Sequence, residues 1–265
     1  MKTFWEATSR VGLHPATWLG LVYRDSVFSF PADSGQDAAA VEGYVALTID
    51  DGICRQGDLA KSMAPEVEAL LKEYDAKVTF FLCSNYVQGF EEQVSSLVAD
   101  GHELGNHGTK DANYSRASRE EFEEEFLQVN SKLQSLQSDT AAPIKWFRAP
   151  QGIYTSAMRS VVNSHSQTHI LGDCFCDDYA NTDTEWVAKV MLRQVRSGSI
   201  LVMHMPERGH WEHTFDAIKL VLEGLKAKGL RSVTLSKLQS LAAGGGPAEV
   251  PSAAPPVAST SGEAT

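Results

Sequence analysis

The sequence predicts an α/β protein whose strands and helices alternate seven times and close into a TIM-like (β/α)7 barrel. From residue 43 onward, short runs rich in β-branched residues alternate with longer amphipathic stretches, which is typical of a parallel sheet covered by helices. Seven strand and helix units within about 200 residues favour a barrel over an open sheet. The chain of 265 residues is also long enough to bury one large core.

Each predicted strand is a short apolar run. The seven runs lie near residues 44–50, 77–83, 102–106, 144–148, 168–173, 199–204 and 231–234. The clearest predicted helix spans residues 118–137, where Ser118 and Glu121 form a capping box and apolar side chains follow at helical spacing.

Two further helices are expected before the last two strands. Residues 184–196 and 216–228 carry apolar side chains at helical spacing. Gly198 and Gly229 follow them, and glycine is common just after a helix because it adopts the left-handed conformation at little steric cost.

Three segments of different composition divide the chain. Residues 1–42 lack sustained periodicity and are expected to form an N-terminal extension packed on the domain. Residues 43–242 form the predicted barrel domain. Residues 243–265 are rich in Ala, Gly, Pro, Ser and Thr, and such a segment cannot offset the entropy of ordering, so a disordered tail is predicted.

The charge of the chain argues against nucleic acid as a partner. The sequence has 34 acidic and 23 basic side chains and a net charge of -11, which repels polyphosphates and anionic lipid surfaces. Its apolar stretches fall short of the ~20 residues of a membrane helix, and residues 1–23 lack the pattern of a secretory signal. We therefore expect a cytoplasmic protein without a membrane partner, with its four cysteines reduced.

Two adjacent carboxylates end the first predicted strand. Residues 44–49 lead directly into Asp50 and Asp51. Taken alone, the pair does not require a functional site, because one Asp could cap the next helix and the other could be solvated. Charge at the end of a buried strand is costly, however, and other predicted strands also end in ionisable groups.

Those groups follow the third, fourth and sixth predicted strands. His107 and Asp111 are four residues apart, Arg148 ends the fourth strand and His204 the sixth. An imidazole and two carboxylates would leave a coordination position open for water, as in catalytic zinc sites. Arg148 could orient a carboxylate, and His204 is placed for acid-base chemistry. Taken singly, each residue could equally be structural or solvated.

Together these segments resemble the polysaccharide deacetylase family, also called the NodB-homology or carbohydrate esterase 4 family. The ordered resemblance covers residues 45–240, most of the folded chain. Residues 48–52, Thr-Ile-Asp-Asp-Gly, are similar to the opening motif Thr-Phe-Asp-Asp-Gly of that family. The resemblance implies a distorted (β/α)7 barrel of NodB-homology type, Asp50 as the catalytic base and Asp51 as a metal ligand.

The second motif departs from the family pattern after its first metal-binding His. Residues 101–107, Gly-His-Glu-Leu-Gly-Asn-His, are similar to the family, which implies that His107 is a ligand. In the usual His-Ser/Thr-x-x-His form, Gly108 would be a hydroxyl residue and Asp111 a second His. An Asp can ligate zinc with a similar reach, so the implied set is Asp51, His107 and Asp111 around Zn²⁺, although metal affinity or identity could also have changed.

The third motif supplies an arginine and a turn. Residues 148–152, Arg-Ala-Pro-Gln-Gly, resemble the family's Arg-Pro-Pro-Tyr-Gly turn. By that resemblance Arg148 holds the catalytic base, and the turn of Pro150, Gln151 and Gly152 provides a backbone N–H to the oxyanion. Gln151 in place of Tyr keeps this donor because it belongs to the main chain.

The last two motifs concern the general acid. The sequence Leu-Val-Met-His that ends at His204 matches the final motif and implies that His204 is the acid. The fourth motif offers Asp173, Asp177 and Asp178 without the usual following Trp. We favour Asp178, with Asp173 next, as the carboxylate that orients Arg148 and tunes the acid.

The implied activity is metal-dependent removal of acetyl groups from an N-acetylated or O-acetylated oligo- or polysaccharide. Two alternatives stay open. Loss of the second metal His would also suit a metal-independent hydrolase of small cyclic amides, as in the allantoinase-like branch. Altered motifs would also suit a catalytically silent carbohydrate-binding relative, although a binding surface has no need of an acid and a base that face each other.

Overall fold

Strands and helices alternate along the part of the chain that the structure describes. The structure is a computed structural model, and it describes residues 23, 25–30, 41–137 and 142–244. The strands are β1 Tyr44–Asp51, β2 Val78–Leu82, β3 Glu103–Asn106, β4 Trp146–Phe147, β5 Thr168–His169, β6 Ile200–His204 and β7 Arg231–Ser232. The α-helices are α1 Ala64–Glu73, α2 Glu91–Ala99, α3 Arg119–Gln134, α4 Ser156–Ser164, α5 Thr184–Gln194, α6 Thr214–Ala227 and α7 Leu235–Ala242.

All strand pairs of the sheet are parallel, and β1 pairs with three other strands, β2, β6 and β7. The strand order is β5-β4-β3-β2-β1-β6, and β7 pairs with the first residues of β1. Leu47 of β1 lies opposite Val78 of β2 and Leu201 of β6. Each predicted strand has a counterpart in this sheet, so the predicted (β/α)7 arrangement is confirmed.

The barrel is distorted where it closes between β5 and β6. A parallel bridge joins Cys174, in the segment after β5, to Leu201 of β6. Residues 25–30 lie in the same gap, where the N–H of Val27 donates to the carbonyl oxygen of His169 at 2.9 Å. Irregular backbone therefore replaces a regular strand pair at this point.

Alternate residues of β1 belong to two different apolar clusters. Leu47 and Ile49 pack with helix residues in the larger core, whereas Ala46 packs with residues of β2, β4 and β6. This alternation directs one face of the strand toward the helices and the other into the barrel. Thr48 and Asp50 follow Ala46 on the interior face, so the first candidate site residue points into the barrel.

A glycine in β3 makes room for an aromatic ring in the barrel. A Cβ atom at Gly105 would lie 2.7 Å from the ring of Phe81, which is too close for packing without a shift. The guanidinium of Arg148 lies 4.1 Å from the centre of the same ring. The absence of a side chain at Gly105 therefore sets the position of a ring that supports a candidate site residue.

The capping signals in the sequence predict the helix ends with one exception. Ser118 Oγ accepts from the N–H of Glu121 at 3.2 Å, and the Glu121 carboxylate accepts from the N–H of Ser118 at 2.8 Å. Gly229 follows α6 with a φ of +71°. The prediction that Gly198 caps the preceding helix is wrong, because α5 ends at Gln194 and Gly198 lies in the turn before β6.

The outer segments of the predicted domain organisation fall mainly outside the described residues. Most of the predicted extension, residues 1–42, and most of the predicted tail, residues 243–265, lie outside the described residues. The domain boundaries therefore stay predictions. Of the helices in the described residues, none has the length and apolar character needed to cross a membrane. The four cysteines are buried free thiols.

Candidate active site

A cavity of about 630 Å³ opens at the carboxyl ends of the strands. In a parallel barrel this end collects residues that are far apart in the sequence. The predicted site residues that line the cavity are Asp50, Asp51, His107, Asp111, Arg148, Gln151, Gly152 and His204. The other two, Pro150 and Asp178, are buried next to residues that line it.

A buried ion pair joins Asp50 at the end of β1 to Arg148 just after β4. Arg148 Nη1 donates to Asp50 Oδ1 at 2.5 Å and to Thr48 Oγ1 at 2.8 Å, and Nε donates to the carbonyl oxygen of Ile170 at 3.2 Å. Burial lowers the pKa of Arg148, and the Asp50 carboxylate opposes this shift. These bonds fix the orientation of Asp50. Asp178 is not among these partners of Arg148, so the prediction that Asp178 orients Arg148 is wrong.

A second buried carboxylate orients His204 at the end of β6. Asp178 lies 2.8 Å from His204 Nδ1 and 2.9 Å from its backbone N, and it accepts from both. Burial of the imidazole lowers its pKa, but the surrounding carboxylates, first of all Asp178, outweigh burial and raise the pKa of His204 to about 9. The ring is therefore protonated at neutral pH, and 21% of the side chain is exposed.

The contacts distinguish the three candidates for the fourth motif. Asp173 is fully buried against the turn before β6, where it accepts from the N–H of Ile200 at 2.9 Å. Asp177 lines the cavity. Asp178 makes the two hydrogen bonds to His204. The structure thus places Asp178 where a carboxylate can tune the imidazole.

Asp51 and His107, two of the predicted metal ligands, face each other across a short gap. His107 Nε2 lies 3.7 Å from Asp51 Oδ1, and both side chains are buried. His107 Nδ1 lies 2.8 Å from the carbonyl oxygen of Arg148. That oxygen can only accept, so Nδ1 donates, and Nε2 is the ring nitrogen that points toward Asp51. Burial raises the pKa of Asp51, although the nearby side chains of His107, His204 and Arg55 oppose this shift.

The third predicted ligand, Asp111, contacts an arginine. Arg55 Nη2 donates to Asp111 Oδ2 at 3.3 Å and to Asp51 Oδ2 at 3.2 Å. In the part of the chain that the structure describes, no three His, Cys, Asp or Glu side chains come together as a metal-binding group. The structure therefore brings His107 close to Asp51 and links Asp111 to Asp51 through Arg55.

Comparison with known proteins identifies the family. The model of one protein family, polysaccharide deacetylase, matches residues 37–170, about half of the chain. The chain belongs to the polysaccharide deacetylase family. A peptidoglycan-N-acetylglucosamine deacetylase of Bacillus cereus is 28% identical, over 74% of this chain and 88% of that protein. A chitooligosaccharide deacetylase of Sinorhizobium fredii is 26% identical, over 60% of this chain and 71% of that protein.

A solved structure shares the barrel. The crystal structure of a CE4 family pseudoenzyme from Bacillus anthracis matches with a TM-score of 0.64 and 20% identity. The match covers 75% of this chain and 66% of that chain, so this chain spans about two thirds of its length. Likeness at this identity shows the fold alone, and it agrees with the distorted (β/α)7 barrel.

The turn of the third polysaccharide deacetylase motif is held from two sides. The N–H of Ala149 donates to His169 Nε2 at 3.2 Å, and the N–H of Gly152 donates to the carbonyl oxygen of Ala149 at 3.0 Å. Between them, Gln151 adopts a φ of +57°, a region that non-glycine residues rarely occupy. The backbone of Gln151 is thus fixed at the cavity wall, whereas its side chain is exposed.

Four residues of this polysaccharide deacetylase site were missed in the sequence. Arg55 lies four residues after Asp51, and this short spacing is the one feature of the sequence that could have indicated its place in the site. Glu207 accepts from the N–H of Arg55 at 2.8 Å. The rings of Tyr179 and Trp211 lie 5.0 and 5.6 Å from that of His204. Glu207, Tyr179 and Trp211 belong to loops, and no periodicity or motif in the sequence indicates that they lie at the site.

Proposed function

We propose that this chain is a carbohydrate deacetylase that hydrolyses acetyl groups from an N-acetylated or O-acetylated oligo- or polysaccharide. The observation that carries the proposal is an oriented carboxylate and a protonated imidazole at one cavity. Asp50 of β1 lies opposite His204 of β6 in the strand register, and both line the cavity. Family membership and the names of the two relatives support the substrate class.

Asp51, His107 and Asp111 would hold a divalent ion, for which we propose zinc. The donor set fits, because zinc accepts imidazole nitrogen and carboxylate oxygen, and a hydrogen bond from Nδ1 commonly fixes a ligating imidazole. The short distance between His107 Nε2 and Asp51 Oδ1, together with the contact of Nδ1 to the carbonyl oxygen of Arg148, supports this fit. Arg55 would have to release the two carboxylates that it bridges. When bound, the ion would lower the pKa of its water toward about 7.

The protein groups would divide the proton transfers between them. Asp50, oriented by Arg148, would accept a proton from the attacking water. His204 would donate its proton to the leaving nitrogen or oxygen of the sugar. The backbone N–H of Gln151 would donate to the acetyl oxygen as negative charge develops there, a contribution of about 3 kcal/mol in comparable sites. The products are acetate and a free amine or hydroxyl.

Acetate release tests the proposal. The purified protein should release acetate from chitooligosaccharides or acetylated xylan, a chelator should reduce the release, and zinc should restore it. Asp50→Asn protein, shown to be folded by circular dichroism, is the control for contaminating activity. A folded wild-type protein that binds chitooligosaccharides but releases no acetate with zinc present would instead be a silent carbohydrate-binding relative.

A metal-independent hydrolase of small cyclic amides is the second candidate, and the contacts of Arg55 favour it. The guanidinium is a protein cation that pairs with Asp51 and Asp111, so these carboxylates have a positive partner within the chain. Metal analysis after dialysis and assays on cyclic ureides distinguish the two candidates. Turnover of a ureide that is unaffected by chelator, without stoichiometric zinc, would establish the second candidate.

A further inference from the structure

Arg55 pairs with two of the three proposed metal ligands through a single nitrogen. Nη2 lies 3.2 Å from Asp51 Oδ2 and 3.3 Å from Asp111 Oδ2. Nε is buried and has no hydrogen-bond partner within the described ranges of the chain. A guanidinium held in this way lacks the two parallel hydrogen bonds of the strongest arginine-carboxylate pairs. Another cation can therefore displace it.

The surrounding loops hold the guanidinium at this place. Its central carbon lies 4.6 Å from the centre of the Trp211 ring and 5.2 Å from that of Tyr86. The N–H of Arg55 donates to Glu207 Oε2 at 2.8 Å, and Glu207 is 3% exposed. Tyr86 follows β2, whereas Glu207 and Trp211 follow β6. The position of Arg55 is thus part of the tertiary structure and not a chance contact of an exposed side chain.

We propose that Arg55 competes with the divalent ion for Asp51 and Asp111 and thereby lowers the affinity of the site for metal. The inference rests on the proposed function, because it takes these two residues as ligands. Two cations that share the same carboxylate oxygens repel each other strongly in a partly buried site. Metal binding therefore requires the guanidinium to move away, and the free energy of that movement is subtracted from the affinity of the ion.

Zinc titration of three proteins tests this competition. Each protein is dialysed against chelator, freed of chelator, and titrated calorimetrically with zinc chloride. Arg55→Gln should bind zinc about tenfold more tightly than the wild type. The matched control is Arg231→Gln, which removes the same charge from an exposed pair with Asp75 at the other end of the barrel; its affinity should equal that of the wild type. Equal or weaker zinc binding by Arg55→Gln would overturn the proposal.

Trp211 offers a second readout that does not depend on affinity. Because the guanidinium contacts the Trp211 ring, its departure should change tryptophan emission when zinc binds to the wild type. The Trp211→Phe variant identifies the signal of this ring among the five tryptophans of the chain. The zinc-dependent change should disappear in Arg55→Gln. A change of the same size in that variant would show that the guanidinium is not the group that moves, against the proposal.

The outcomes separate failure of this inference from failure of the proposed function. Equal zinc binding by the wild type and Arg55→Gln would leave the metal site standing and remove Arg55 as a competitor. If neither protein binds zinc although both are folded, the metal site fails and the inference fails with it. If Arg55→Gln alone binds zinc, the competition is confirmed in its strongest form, in which the arginine keeps the ion out.

Discussion

The acid-base half of the site is held by short contacts between buried groups, whereas the proposed metal half is held by longer contacts to a partly exposed arginine. The acid-base half consists of two buried pairs, Asp50 with Arg148 and His204 with Asp178. The closest distances within them are 2.5 and 2.8 Å. The side chains of Asp50, Arg148 and Asp178 are at most 5% exposed. Charge-assisted hydrogen bonds in so buried a setting fix these groups before substrate arrives.

The proposed metal half, called the metal half below, consists of Asp51, His107, Asp111 and Arg55. The distances between its partners are 3.2, 3.3 and 3.7 Å. The side chains of Arg55 and Asp111 are 28% and 22% exposed. Because Arg55 and Asp111 are partly exposed and the proposed ion would share two carboxylates with Arg55, substitutions in this half should change metal affinity. Substitutions in the acid-base half should instead change the rate of the chemical step.

The largest effect should follow replacement of Asp50. Asp50→Asn keeps the shape of the side chain and removes the proposed base, so kcat should fall about 10⁴-fold with little change in KM. Steady-state acetate release measures both constants. Asp177→Asn is the matched control, since it makes the same change in a carboxylate of the same cavity, and it should retain most of the activity. Activity of Asp50→Asn within tenfold of the wild type would exclude Asp50 as the base.

A smaller loss should follow replacement of His204, and it should depend on the leaving group. His204→Asn should lower kcat about 10³-fold on an N-acetylated sugar, because the amine cannot leave without a proton. On 4-nitrophenyl acetate the loss should be much smaller, because 4-nitrophenolate leaves unprotonated. Equal losses on the two substrates would mean that His204 does not act as the acid. Asp50→Asn, which acts on the attack step, should lose activity on both.

The carboxylate behind His204 should shift the pH dependence. The proposed acid is active when protonated, so wild-type kcat/KM should be lost as pH rises through about 9, the value to which the pKa of His204 is raised. Asp178→Asn removes the main group that raises this pKa, and the loss should move down by about one to three pH units. A full pH profile of kcat/KM measures the shift. An unshifted alkaline limit in Asp178→Asn, or an equal shift in Asp177→Asn, would contradict this coupling.

The sequence predicts the acid-base half better than the metal half, and strand geometry explains why. Asp50, Arg148 and His204 directly end predicted strands, and the carboxyl ends of parallel strands meet at one edge, so chain order alone places them together. Arg55 lies in a loop, and its partners come from other loops whose conformations depend on tertiary packing.

The same distinction applies to the choice among neighbouring aspartates. Asp177 and Asp178 are adjacent in an irregular segment after β5, so no periodicity tells which of them faces His204. The hydrogen bonds of Asp178 decide the matter. The strands of the fold are more predictable than the site, because each strand is a local apolar run in the sequence. The contacts of residues 25–30 that close the barrel join segments that are distant in the sequence, so no local pattern predicts them.

The smallest effect should come from replacement of Asp111 in the metal half, whereas replacement of its neighbour Asp51 should be severe. Asp51→Asn should abolish measurable zinc binding, since Asp51 faces His107 directly. Asp111→Asn should weaken binding by about tenfold, because loss of a ligand is partly offset by loss of one anchor of Arg55. In the Arg55→Gln background that offset is gone, so the same substitution should cost more affinity than in the wild type. Calorimetric zinc titration of the four proteins of this cycle measures the difference. Wild-type affinity in Asp111→Asn would mean that Asp111 does not ligate the ion, and equal costs in both backgrounds would mean that Arg55 is not coupled to it.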